Sequence, residues 1–139
     1  MVYNGPERRK YKRYDFEYPI NIQSLENKSL SYQSTTINVS ERGVFCKIND
    51  NKLKLFEKVK VKMLIPLKVN GNYKVEEILL EGIVIRKEIR ISRETEDYYI
   101  AIYFENIPDE KGKLIIALAN EDDKSIIKKL LSKATPFIF

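Results

Sequence analysis

Phe16-Glu17-Tyr18-Pro19-Ile20-Asn21-Ile22-Gln23 is the stretch whose reading decides the fold. Large apolar side chains take every second position, with polar residues or Pro between them, which is the two-residue period of a strand with one face in a core. Pro19 has no N–H to offer a ladder and so predicts an edge position or a bulge. The same period returns along the chain. A polar stretch at Glu26-Asn27-Lys28 leads into a second strand over about 32–39, Gly43 to Ile48 makes a third, and Asn49-Asp50-Asn51 is a turn. Val59, Val61, Met63 and Ile65 alternate with Lys58, Lys60, Lys62 and Leu64 in a fourth strand, expected to stop at Pro66. Asn70-Gly71-Asn72 is a hairpin signal, because Asn-Gly favours the positive φ of a tight turn. It opens a long strand over about 73–89, followed by a charged loop over 92–97 and a last apolar strand, Tyr98 to Phe104. The expectation is a mostly β fold: a six- or seven-stranded antiparallel β-barrel.

After Pro108 the period changes. Leu114, Ile115, Leu118 and Ala119 recur at three and four residues behind Asp109 and Glu110, which predicts a C-terminal α-helix closing the barrel. Ile126, Ile127, Leu130 and Leu131 continue the helical spacing beyond Asn120-Glu121-Asp122-Asp123. That acidic stretch either caps a second helix or lies exposed on one long helix, so one helix or two remain open. Pro136 ends the helical pattern, and Phe137-Ile138-Phe139 is an apolar tail that packs back on the barrel or docks a partner. The organisation read from these shifts is a basic, mobile arm over 1–14, a barrel over 15–107, and a helical segment with its tail over 108–139.

At 139 residues, 43% hydrophobic and 32% charged, with 5 Gly and 5 Pro, the chain has the composition of one globular domain rather than of a disordered one. Its single cysteine, Cys46, has no intramolecular partner and sits among Val44, Phe45 and Ile48 as a strand residue at the core. No apolar run approaches the roughly 20 residues of a membrane span, and the first residues lack the apolar stretch of a signal peptide. A soluble, cytoplasmic protein is expected. The formal net charge is +5, and residues 1–13, with five basic side chains and one Glu, carry a surplus of four of it. Such local basicity suits a compact anion better than a long nucleic acid, which draws charge spread over a face.

Catalysis finds no carriers. The chain has no histidine, so Ser–His, Cys–His and His-metal arrangements are excluded, and one Cys cannot build a zinc site. Glu76-Glu77 point to opposite sides of a strand, Asp122-Asp123 suit helix capping, and no Gly-rich phosphate loop is present. The reading is a binding protein, with no enzyme activity, cofactor or metal.

Two segments carry the binding chemistry. Arg8-Arg9-Lys10-Tyr11-Lys12-Arg13 places guanidinium forks that grip phosphate oxygens bidentately or lie flat on a purine. Asn38-Val39-Ser40-Glu41-Arg42-Gly43 adds an amide that both donates and accepts, a rotatable hydroxyl, and a glycine that lets chain or ligand approach closely. Taken singly, a basic strip reads as a solvated arm and Asn-x-Ser-x-x-Gly as an ordinary turn. Their order matters, since the first precedes strand one and the second follows strand two, where strand pairing brings them together. Arg-x-x-x-Arg followed by Asn-x-Ser-x-x-Gly resembles the PilZ domain, the bacterial receptor module for cyclic di-GMP. Gly82-Ile83-Val84-Ile85-Arg86 is similar to that family's Gly-x-Val-x-Arg strand, and Tyr99 to Phe104 to its last barrel strand, so the resemblance covers about 7–120. Ala101 stands where many members carry Gly, and Asn38 where Asp is commoner.

The resemblance implies a cyclic di-GMP receptor whose arm folds over the ligand and passes the signal to a downstream protein partner. Arg9 and Arg13 would hold phosphate and the guanine edge, Asn38 and Ser40 would hydrogen-bond guanine and phosphate, and Gly43 would keep the loop open. Arg8 adds a third fork and favours a stacked pair of ligands. Arg42 reads either as a solvated loop cation or as a phosphate contact. Arg86 is either an outward strand residue paired with Glu76 or Glu88, or part of the site, and Tyr11 is placed to stack on a base. No nucleic acid is expected as partner, and the oligomeric state is monomer or homodimer. Two rival readings stand beside it: a small barrel that binds single-stranded nucleic acid through the arm and exposed aromatics, and a PilZ-like adaptor that binds protein through its last helix and tail.

Overall fold

Strand alternation supplies the barrel's inner face, and the pairing of its first and fourth strands closes it. The computed structural model describes residues 11–117 and 129–132. Its elements are β1 (Pro19–Ser24), β2 (Ser31–Val39), β3 (Gly43–Ile48), β4 (Lys58–Val69), β5 (Asn72–Ile91), β6 (Glu96–Phe104) and helix α1 (Asp109–Ala117). The order around the barrel is β1-β2-β3-β6-β5-β4, every pair is antiparallel, and β1 meets β4 to close the ring. Phe16, Tyr18, Ile20 and Ile22 all face inward, as their period predicts, and so do Val59, Val61, Met63 and Ile65. Each such burial removes apolar surface from water and stabilises the fold by about 1.5–3 kcal/mol for a large side chain.

β5 is shared between two partners. Its first part, Asn72 to Ile83, pairs with β4, and its second, Gly82 to Ile91, pairs with β6. The exchange happens at Gly82, where a Cβ would lie 2.6 Å from the Ile102 side chain and 2.8 Å from the Tyr103 carbonyl oxygen. No larger residue leaves room for β6 at that corner.

Several expectations are corrected by this topology. Pro19 is neither on an edge nor at a bulge: β1 has β2 on one side and β4 on the other, and Pro19 is its first residue, where a missing N–H is tolerated. β4 does not stop at Pro66 but continues to Val69. Pro66 pairs with Val75 of β5, whereas the β1 pairing ends at Met63, so the proline ring has an open side. The loop over 92–97 is shorter than its charge suggests, because Glu96 and Asp97 already pair with Ile91 and Arg90. Asn70 and Gly71 adopt φ of 52° and 81°, the turn that Asn-Gly predicts.

α1 begins after Pro108, whose carbonyl accepts the Lys111 and Gly112 N–H groups. Ile115 is fully buried in the barrel core, and the Tyr18 hydroxyl, also fully buried, donates to the Ile115 carbonyl at 2.8 Å. Leu131, on the helical residues 129–132, joins the same core. The other residues of the expected helical stripe, Leu118, Ala119, Ile126 and Ile127, and the tail Phe137-Ile138-Phe139 lie outside the described residues. Tyr18→Phe leaves the Ile115 carbonyl without its donor, and we expect a loss of about 1 kcal/mol in chemical denaturation with the fold retained.

Candidate functional site

The basic arm enters the barrel along β2. Thr36, fully buried, donates its hydroxyl to the Phe16 carbonyl at 2.6 Å and accepts the Tyr18 N–H at 2.8 Å. One step earlier Tyr14 and Val39 exchange both backbone hydrogen bonds, at 2.8 and 2.9 Å. Val39 lies between Asn38 and Ser40, and Tyr14 follows Arg13. A single antiparallel bridge therefore brings the end of the arm against the Asn-x-Ser-x-x-Gly segment.

That segment closes into a tight β2–β3 turn. The Ser40 N–H bonds the Gly43 carbonyl at 2.9 Å, and the Ser40 hydroxyl oxygen accepts the Arg42 N–H at 3.2 Å. The Arg42 carbonyl in turn accepts the Phe104 N–H at 2.8 Å, which fastens the turn to the end of β6. Gly43 is the first residue of β3. A Cβ there would lie 2.5 Å from the Ile102 carbonyl oxygen, so close strand approach by itself requires glycine at this position.

Two β-bulges then aim side chains that simple alternation would bury. On β2, Tyr32 and Thr36 face the core, and strict alternation would send Asn38 inward as well. The register with β3 slips between Thr36 and Asn38, leaving Ile37 as the extra residue, so that Val39 turns in and Asn38 turns out. On β5, Ile78, Leu80, Gly82 and Val84 face inward, and Arg86 would follow them. A second slip, between Val84 and Arg86, leaves Ile85 extra and delivers Arg86 to the outer face. The two reversals are in register with each other. Asn38 pairs with Phe45, Phe45 with Ala101, and Ala101 with Arg86, forming one row across four strands. Ala101 is small enough for the Arg86 guanidinium to reach over it to the Phe45 ring, 5.0 Å from its centroid. Phe45 stacks in turn on Tyr99, with centroids 5.6 Å apart and planes 11° from parallel.

This row floors an open cleft of about 180 Å³, rimmed by Tyr11, Arg13, Ser40, Arg42 and Tyr103. Among the described residues three arginines line it and no carboxylate does, so their field favours an anion. Larger grooves beside Glu105 and beside Gln33 include neither the arm nor the turn. Of the residues chosen from sequence, Arg13, Asn38, Ser40, Gly43, Arg42 and Arg86 all line the cleft. Arg8 and Arg9 lie outside the described residues. The pairing of Arg86 with Glu76 or Glu88 is not what the structure has: Glu88 bonds Arg90 at 2.9 Å, and Glu76 sits opposite Ile65 on the other part of β5. Arg42 is not simply solvated, since it lies over the Tyr11 ring at 5.5 Å and 3.7 Å from the Asp109 carboxylate. Phe45, Ile85 and Tyr103 were missed. Ile85 reaches the cleft through the β5 bulge, which hydrophobic alternation does not report, whereas Phe45 and Tyr103 take the outer face of β3 and β6 by ordinary alternation with the buried Val44, Cys46, Ile102 and Phe104.

The PilZ domain family model matches residues 7–121, a span that holds the basic run 8–13, both bulged strands and the turn. The chain belongs to the PilZ family. No curated protein matches the sequence. Among solved structures, the PilZ domain of YcgR from Escherichia coli, determined with c-di-GMP, superposes with a TM-score of 0.63 at 13% identity, covering 92% of this chain and 100% of that one. The Bacillus subtilis inhibitor of motility MotI/DgrA gives 0.60 at 20% identity over 92% of this chain and 53% of its own. K. pneumonia MrkH in its apo state gives 0.61 at 15% identity over 93% and 55%. The chain thus spans about half the length of the latter two proteins, and at these identities the likeness is one of fold. Among the described residues of this PilZ domain, no helix is long and apolar enough to cross a membrane, and no group of three or more His, Cys, Asp or Glu is placed to hold a metal.

Cys46 faces away from the cleft into the core of the PilZ barrel, fully buried, and burial pushes its thiol up to about 12. The thiolate that alkylation requires is therefore scarce and unreachable. Iodoacetamide at pH 8 is expected to leave the folded protein unmodified and to label one site after denaturation, as read by intact mass.

Proposed function

We propose that the chain is a cyclic di-GMP receptor and not an enzyme, and that binding orders its arm and relays the second-messenger signal to a protein partner. The observation that carries this reading is the row from Asn38 to Arg86 beneath Arg13 and Arg42: an amide and three guanidiniums converge on one cleft that, among the described residues, no carboxylate lines. Cyclic di-GMP has two phosphates and two guanines in one ring, so it needs both cations and base-reading groups within a short distance. Arg13 engages phosphate and the O6/N7 edge of guanine, the edge arginine also reads in DNA. Asn38 and Ser40 hydrogen-bond the base and the phosphate. Arg86, stacked on Phe45, offers its other face as a platform for a base.

The cleft admits one base or one phosphodiester, so the rest of the ligand lies over the rim where the arm enters. Arg9 and Arg8 then close from above. Phosphate cancels the repulsion among the basic residues of 8–13 and favours the folded arm, a disorder-to-order switch. Arg8 supports a stacked pair of ligands rather than one. The YcgR structure with c-di-GMP supports the ligand assignment through a shared fold. Residence in the cytoplasm, where such a messenger would be met, belongs to the same proposal.

Calorimetric titration with cyclic di-GMP, using GTP and a short single-stranded RNA as controls, tests this reading. Micromolar or tighter binding to the cyclic dinucleotide alone is expected, weakening as salt is raised. Arg13→Ala and Arg9→Ala should each lower affinity at least tenfold, about 1.4 kcal/mol. Wild-type affinity in both variants would sink the assignment. Heat with RNA alone would move the chain to the nucleic-acid barrels.

A further inference from the structure

Helix α1 touches the back of the turn whose front lines the cleft. Gly112, buried on α1, faces Glu41: a Cβ at 112 would lie 2.7 Å from the Glu41 carbonyl oxygen. Three residues earlier Asp109, at the start of α1, pairs with Arg42 at 3.7 Å. Arg42 also lies over the ring of Tyr11 in the arm and lines the cleft, and its carbonyl holds the Phe104 N–H. Its side chain is 26% exposed, whereas that of Asp109 is 87% exposed. One arginine thus stands between the arm, the cleft and the helix.

We infer that α1 positions the ligand turn and senses its occupancy: Gly112 seats the helix on Glu41, and an anion in the cleft competes with Asp109 for Arg42. This inference rests on the cyclic di-GMP reading above. The guanidinium is the only group in the pair that can be shared, because Asp109 is fixed to the first turn of α1 and the ligand to the row of Asn38 and Arg86. A phosphodiester that draws Arg42 inward weakens its hold on Asp109. By linkage, whatever weakens that hold in the free protein tightens the ligand by the same factor. The lower half of α1 stays anchored through Ile115 and Tyr18, so the change is confined to its first turn. That turn becomes the surface a downstream partner can distinguish. Gly112 and Asp109 are positioning residues, for neither lines the cleft.

The test is a titration of cyclic di-GMP into the full chain and into Asp109→Asn, Arg42→Ala, the double variant and Gly112→Ala, with a thermal melt of each. Asp109→Asn should bind about threefold tighter than wild type, the scale of one surface ion pair, and should gain nothing on the Arg42→Ala background. Gly112→Ala should bind at least about fivefold weaker, roughly 1 kcal/mol, with a cooperative melt. Wild-type binding with unchanged affinity in Asp109→Asn, or an equal gain with and without Arg42, overturns the coupling and leaves the receptor reading standing. Unchanged affinity in a folded Gly112→Ala protein overturns the seating. Absence of binding by wild type removes the receptor reading and this inference with it.

Discussion

A strand shows its side chains alternately to two faces, and because the inner face of this barrel is filled by packed apolar side chains, only the outer one is open to a cleft. The polar ends of the row beneath this protein's cleft, Asn38 and Arg86, depend on breaking that alternation twice. Ile37 and Ile85 are the inserted residues, and each turns the strand beyond it by one position. Without them Asn38 and Arg86 would point into the hydrophobic core, where an unpaired guanidinium is costly. Because the bulges lie on β2 and β5, on either side of the β3–β6 pair, their turned-out residues fall on one line with Phe45 and Ala101 between them. The fold and the site are therefore one constraint: the core stays apolar only if the polar row is outside.

Close backbone approach is the second requirement. β6 runs beside β3 and β5 at corners where Gly43 and Gly82 leave no side chain in the way. A glycine in such a motif has two readings, conformational freedom for a ligand loop or packing of two strands. Here the geometry provides a packing reason in full, with the Ile102 carbonyl where a Cβ would be. Ser40 is similar, since its hydroxyl already holds the Arg42 N–H inside the turn. Both residues shape the turn, and both line the cleft.

A few hydrogen bonds position the charge of Arg13. One pair of backbone hydrogen bonds between Tyr14 and Val39, with Thr36 clamping Phe16 and Tyr18, determines where Arg13 emerges. Arg13, Arg42 and Arg86 reach the cleft from three different parts of the chain, and Tyr11 and Phe45 lie against two of these guanidiniums. Aromatic faces hold a guanidinium in place while leaving its hydrogen-bond donors available.

The sequence by itself determined the class of fold, most strand positions and the residue types of the site. Hydrophobic period depends only on neighbours along the chain: it placed Phe16 to Ile22 and Val59 to Ile65 inward and found the Asn70-Gly71 turn. The order of the arm and the Asn38–Gly43 segment likewise made their meeting at one cleft legible before any contact was known. What the period could not report was anything set by a partner strand. Pro19 is interior and Pro66 lies within β4 because of which strands pair beside them. Ile85 reaches the cleft, and Arg86 stacks on Phe45 instead of pairing with Glu88, because bulges depend on register between strands. Gly112 had no signal at all, since its meaning is the Glu41 carbonyl, some seventy residues away in sequence and adjacent only once the barrel has closed. Local alternation is written in the chain, whereas pairing, register and close approach exist only between segments, so tertiary structure alone decided them.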